Sequence, residues 1–309
     1  MIAIAAALLI PASYSFPPGR TLTYEMSVTF EGALPLLGGE QAKAELRLGV
    51  RVEGLKPDDD GNVRASSELT SLKALLNDTP LPFELENVKA YFPKTTVSLS
   101  PQGRVLKTDA PDTKLPVRLP GLDLKRFPDV SYLPLEFPEG GIEEGKEWTF
   151  ARRFGDTDMA YLCKAVAVSE SEAKVEVRIE QRYTTLETEG MQEAADEESA
   201  FAKVSTALSG SGVIEFDLKR GIATKVSMDT EAISQVEELK GGKKSERRLK
   251  AKLSVKLASA GSDGARARSL QQRMASPANT DATCPSTMQI NLPSGPTRTA
   301  LASRPSGST

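Results

Sequence analysis

The sequence predicts an all-β, antiparallel protein of two similar, strongly curved sheets, half-barrel or sandwich-like, with few short helices. Three observations carry this: long runs in which apolar and polar residues alternate, turn residues between the runs, and a second half that repeats the pattern of the first. Successive side chains of a strand point to opposite faces, so alternation buries one face and wets the other. That pattern belongs to antiparallel sheets rather than to parallel sheets covered on both sides.

The first ten residues, MIAIAAALLI, are apolar and are followed by Pro11 and the small residues Ala12, Ser13 and Ser15. Residues 1–15 read as the apolar region and cleavage zone of a secretory signal, with a mature chain beginning near Phe16. The run is too short to span a bilayer. Export to the periplasm, cell envelope or exterior is therefore the expected localisation.

A first β repeat is expected over residues 16–110. In it Tyr24, Met26, Val28 and Phe30 alternate with Glu25, Ser27, Thr29 and Glu31, and Leu46, Leu48, Val50 and Val52 alternate with Glu45, Arg47, Gly49 and Arg51. Lys56–Asn62, with its Asp60-Gly61 pair, marks a turn. Residues 111–141 hold Pro111, Pro116, Pro120, Pro128, Pro134 and Pro138; proline cannot donate to a ladder, so this is a connector, with a short helix expected near 122–127. A second β repeat is expected over 142–260, where Val175, Val177 and Ile179 alternate with Glu176, Arg178 and Glu180. Its last strand alternates Leu249, Ala251, Leu253, Val255 and Leu257 with Lys250, Lys252, Ser254 and Lys256. Other helix-compatible pieces lie near 71–76 and 192–202. Residues 261–309 lack aromatics and are dominated by Ser, Thr, Pro and Ala, which reads as a disordered tail.

The two halves are in register. Gly19-Arg20-Thr21-Leu22-Thr23-Tyr24 opens the first and Gly145-Lys146-Glu147-Trp148-Thr149-Phe150 the second, and each closes on strand, turn glycine and strand, at Gly103 and at Gly221. The halves can form separate sheets or one continuous sheet.

There is no histidine among the 309 residues. A Ser-His-Asp triad, a Cys-His pair, and a His-ligated zinc or haem are thereby excluded within this chain. A net charge of -3 and an aromatic content of 6% offer nucleic acid neither a field nor a stacking platform. The two cysteines, Cys163 in a strand-like stretch and Cys284 in the tail, form no CxxC, and their pairing is left open. Ser171-Glu172-Ala173-Lys174 matches S-x-x-K, but at a hairpin turn instead of a helix start. An EF-hand loop from Asp58 needs Gly and Glu where Val63 and Leu69 stand, so Asp58–Asn62 reads as a solvated turn. The run Lys243, Lys244, Arg247, Arg248, Lys250, Lys252 and Lys256 reads as an exposed strand face guarded against edge pairing. No catalytic, cofactor-binding or metal-binding residue is assigned.

Gly145–Trp148, after the Pro-rich connector, resembles the Gly-Asp-x-Trp strand start of uncharacterised exported bacterial β-sheet proteins. Phe216-Asp217 followed by Gly221 resembles the hairpin that closes their fold. The Asp of that pattern is Lys146 here, and no cysteine follows the N-terminal apolar run. Such proteins distantly resemble half-barrels of lipoprotein-carrier type, which implies an envelope or secreted role and no known activity.

The leading expectation is a non-catalytic exported protein that binds a lipid-like, apolar ligand or a partner chain on a concave sheet face. The face candidates are Tyr24, Met26, Val28, Phe30, Leu46, Leu48, Val50, Val52, Val175, Val177 and Ile179. The alternative is a structural or interaction protein of the envelope whose interior is filled, and the third is a hydrolase using carboxylates. No cofactor, nucleic-acid partner or transmembrane span is expected, and the oligomeric state is open. An apolar cleft separates the first reading from the second; buried carboxylates with raised pKa values would favour the third.

Overall fold

The computed structural model describes residues 9–34, 39–89, 91–111, 129–154, 157–189 and 193–262. The alternating runs become β1 (Arg20–Leu34), β2 (Gly39–Leu55), β3 (Val63–Leu76), β4 (Thr79–Pro80), β5 (Thr95–Leu99), β6 (Val105–Asp109), β7 (Glu147–Phe154), β8 (Thr157–Val168), β9 (Glu172–Glu187), β10 (Ala202–Asp217), β11 (Ile222–Glu238) and β12 (Lys244–Ser262). Two short helices, α1 (Leu85–Lys89) and α2 (Asp129–Tyr132), complete the elements. Neither is long and apolar enough to cross a membrane.

All pairings are antiparallel, and every strand joins one sheet. The order is β6-β5-β3-β2-β1-β12-β11-β10-β9-β8-β7, with β4 on β3. Of the two arrangements the repeat allows, the chain takes the continuous one, because β12 pairs with β1 from Arg20–Ser262 to Gly32–Leu249. Gly19 and Gly145, before β1 and β7, have φ of 79° and 84°, and the hairpin glycines Gly103 and Gly221 have 94° and 65°. These are left-handed values that favour glycine.

Apart from the β1–β12 junction and the β3–β5 pairing, which skips the short β4, neighbours in the sheet follow one another in sequence; β6 and β7, consecutive in the chain, are the two edges. Eleven strands at about 4.8 Å would set these edges roughly 50 Å apart in a flat sheet. Instead a few residues of the connector span the gap. The Trp148 indole on β7 donates to Glu136 O at 2.8 Å, and the next residue, Phe137, donates its N–H to Gln102 O in the β5–β6 turn at 2.8 Å. The sheet is therefore rolled into an open cylinder, and residues 129–142 lie along its seam as a strap.

Several expectations are corrected. Residues 71–76 are strand, because Ser71–Leu76 pairs with Ala44–Gly49 and the partner's ladder outweighs local helix preference. Among the described residues of 192–202 none is helical: Glu193 bridges Glu187, Ala202 opens β10, and between them Ser199 N–H and Oγ bond to Asp196 in a turn, an arrangement short polar side chains favour over helix. The helix α1, in the Leu-Glu-Asn-Val-Lys stretch, was not foreseen. The helix expected at 122–127 and the tail from 263 lie outside the described residues; Gly261 and Ser262, assigned to the tail, belong to β12.

The outer face carries a mosaic of charge that absorbs the basic run. Lys250 stands between Glu31 and Glu231, Lys256 faces Glu25, and Lys252 lies 3.9 Å from Asp229. These exposed pairs contribute at most about 1 kcal/mol each.

Candidate functional site

Directly paired residues share a face, so the inner surface can be followed strand by strand. One row runs Leu48–Met26–Val255–Val226–Ile214–Val175–Ala165, and all seven are buried. The next runs Leu46–Val28–Leu253–Met228–Gly212–Val177–Cys163–Trp148, and the third Ala44–Phe30–Ala251–Thr230–Gly210–Ile179–Tyr161–Phe150.

Beside the first row the interior is filled. Residues 10–17 and the strap cross the inner face and place Tyr14, Phe16, Tyr132, Phe137 and Phe216 in one aromatic cluster. Tyr14 meets Phe216 edge-on at 5.1 Å, and Phe137 meets Phe216 at 4.8 Å. The Tyr14 hydroxyl donates to Leu135 O and accepts from Leu135 N–H, and the Tyr24 hydroxyl donates to Ala223 O. Burial holds both phenols well above the usual tyrosine range. Arg152 of β7, 7% exposed, donates to Leu133 O and Leu135 O of the strap, and its guanidinium lies 5.2 Å from the Phe150 ring centre. It ties the β7 edge to the strap through carbonyls.

In the second and third rows the centre of the face is different. On β10, β11 and β12, Gly210, Gly212, Met228, Thr230, Ala251 and Leu253 are only partly buried, and Leu46 on β2 shares this state. The floor here is small: a Cβ at Gly212 would come within 3.0 Å of Met228, and one at Gly210 within 3.0 Å of Thr230. Two inward glycines let β10 press onto β11 and lower the floor, leaving accessible apolar area on the inside of the roll. This patch is the candidate site.

Ten of the eleven predicted face residues are buried wall: Tyr24, Met26, Val28, Phe30, Leu48, Val50, Val52, Val175, Val177 and Ile179. Leu46 is the one that remains partly accessible. All eleven lie on the inward-facing side of their strands. Met228 and the β10 glycines were missed; the readable signal was Leu208-x-Gly210-x-Gly212-x-Ile214, glycine where alternation calls for an apolar side chain.

The other constellations are local structure. Asp58 accepts from Asn62 N–H at 2.8 Å and from the Ser98 hydroxyl at 2.6 Å, and these donors, Ser98 first, hold its carboxyl below the usual range. Ser171 sits in the β8–β9 turn, and Lys174 stands on the exposed face opposite Glu215. Cys163 is free and 0% exposed, its thiol pushed up to about 12 by burial against the opposing pull of Arg152; Cys284 lies outside the described residues. Among the described residues no Asp or Glu is buried, and no group of three or more acidic or cysteine side chains could hold a metal. A groove of about 670 Å³ at the Gly32 end of β1, β2 and β12 is lined largely by charged groups, several already paired, as Arg247 is with Glu187 and Arg248 with Glu246.

No family model matches the chain, and no curated protein does. Among solved structures, one of lipid–protein interactions in lipovitellin is similar over 87% of this chain, at 14% identity and a TM-score of 0.44. The match spans 27% of the lipovitellin chain. DynF from the dynemicin biosynthesis pathway of Micromonospora chersina is similar over 82% of this chain and 86% of its own, at 9% identity and a TM-score of 0.19. At TM-scores below 0.5 neither likeness bears on the ligand.

Proposed function

We propose that the protein is an exported, non-catalytic binder of an apolar ligand, held on the partly exposed inner patch of β10–β12. The observation that supports this most is Met228, Ala251 and Leu253 facing inward yet remaining only partly buried. Inward apolar area left accessible is unfavourable at about 25 cal/mol per Å², and a long-chain guest would recover that energy. Thr230 offers one hydroxyl beside the patch, so selectivity would come from shape and chain length more than from hydrogen bonds.

The aromatic filling beside the first row supports a second reading, an envelope protein with no ligand at all. An apolar fluorophore separates the two. The ligand reading expects near-stoichiometric binding to the natively folded chain, weakened at least tenfold by Met228→Glu, which sets a charge on the floor. Folded protein that leaves the dye unbound would leave the structural reading standing.

A further inference from the structure

We propose that Ile10–Pro17 is a permanent plug of the working protein, so that any leader peptidase acting on this chain cuts ahead of Ile10. The segment is built into the fold at every second residue: Ala12, Tyr14 and Phe16 are buried, while Pro11, Ser13 and Pro17 are exposed. Its main chain is bonded to separate elements. Ile10 exchanges both bonds with Ile142 at 2.8 and 2.9 Å, Tyr14 N–H donates to Pro101 O at 2.7 Å, and Ser15 N–H donates to Gly221 O at 3.0 Å. Arg20 donates back to Ser15 O at 3.1 Å and to Arg220 O at 2.9 Å, fastening the exit of the segment to the β10–β11 turn.

The receiving surface is moulded to it. A Cβ at Gly54, Gly103, Gly141 or Gly221 would come within 3.0 Å of Phe16 and Pro17, Tyr14, Ile10 or Ser15 respectively. Three of these glycines have positive φ and so a turn to explain them; Gly54 does not, and the three atoms nearest its Cβ all belong to Phe16 and Pro17. Glycine at position 54, the second-last residue of β2, therefore has its reason in the plug. A cut after Ser15 would remove Tyr14 from the aromatic cluster and strip Gly103, Gly141 and Gly221 of their partners in the segment.

The test is the intact mass of protein secreted by a bacterial host, together with melting of full-length and shortened chains. The expected mature N-terminus is Ile10 or earlier. Deleting residues 9–17 lowers Tm by about 10 °C or more. Gly54→Ala lowers the Tm of the full chain by several degrees and leaves that of the shortened chain within about 1 °C. Should the shortened chain not fold, the mass of the secreted protein decides. A folded secreted protein starting at Phe16 would overturn the proposal, as would an equal effect of Gly54→Ala in both chains.

Discussion

The two parts of the inner face are made by the same alternation and end in opposite states. Beside the Met26–Val175 row, Tyr14, Phe137 and Phe216 interlock and nothing is left accessible. In the next row, Met228 and Leu253 point the same way and stay partly open. The difference lies chiefly in what crosses the face, since both parts carry inward apolar side chains. Two segments from outside the ladder, residues 10–17 and the strap, bring seven aromatic or long apolar side chains to the first part: Tyr14, Phe16, Tyr132, Leu133, Leu135, Phe137 and Ile142. The floor of the second is lowered by Gly210 and Gly212, which supply no side chain of their own. A strand pattern thus fixes which way residues point; cover, which comes from loops, decides whether they are core or surface.

The largest effect that can break this contrast is expected in the filled part. Phe216→Ala removes the ring that Tyr14 and Phe137 both touch, and should cost about 3–5 kcal/mol in chemical denaturation. A loss under about 1 kcal/mol would mean that the cluster is loosely packed.

A second effect is expected at high pH. Tyr14, Tyr24 and Cys163 all have pKa values raised by burial, so the folded state keeps protons that the unfolded chain releases. Their contribution is fully present below about pH 9 and is lost as pH rises towards 12, at up to about 1.4 kcal/mol per pH unit for each group. Denaturation midpoints followed from pH 8 to 11 should fall, and Cys163→Ala should delay the onset towards pH 10. A flat profile would contradict the burial of these groups.

The smallest effect belongs to the open patch. Leu253→Ala should cost only about 1 kcal/mol, below the 2–5 kcal/mol of a buried leucine, because part of that side chain already meets water. A cost as large as that of Phe216→Ala would make the patch core and remove the proposed site.

Much of the fold was legible because alternation is a local property: the strands around Tyr24–Phe30, Leu46–Val52, Val175–Ile179 and Leu249–Leu257 stand where the pattern puts them. The turn glycines Gly19, Gly145, Gly103 and Gly221 were legible too, since positive φ narrows the choice of residue. Strand order was not, because the β1–β12 pairing joins residues more than 200 positions apart and leaves no local trace. Burial along each strand was hidden for a related reason. Leu253 and Val255 are chemically alike in sequence, and only the segments crossing above them separate one from the other. Tyr14 and Phe16 were read as cleavage zone and first mature residue, because small residues and an apolar run describe a leader and a packed strand equally well.

The central claim is that the inner patch of β10–β12 holds an apolar guest, and photolabelling with a long-chain hydrocarbon probe tests it at residue level. Native, full-length protein would be labelled, digested and mapped by mass spectrometry. The expected result is label concentrated on Met228, Ala251 and Leu253, reduced by excess unlabelled chain, with Tyr14 and Phe216 unmarked. Label confined to outward apolar residues such as Phe83, Tyr91 and Leu239, or no label on folded protein, would contradict the account.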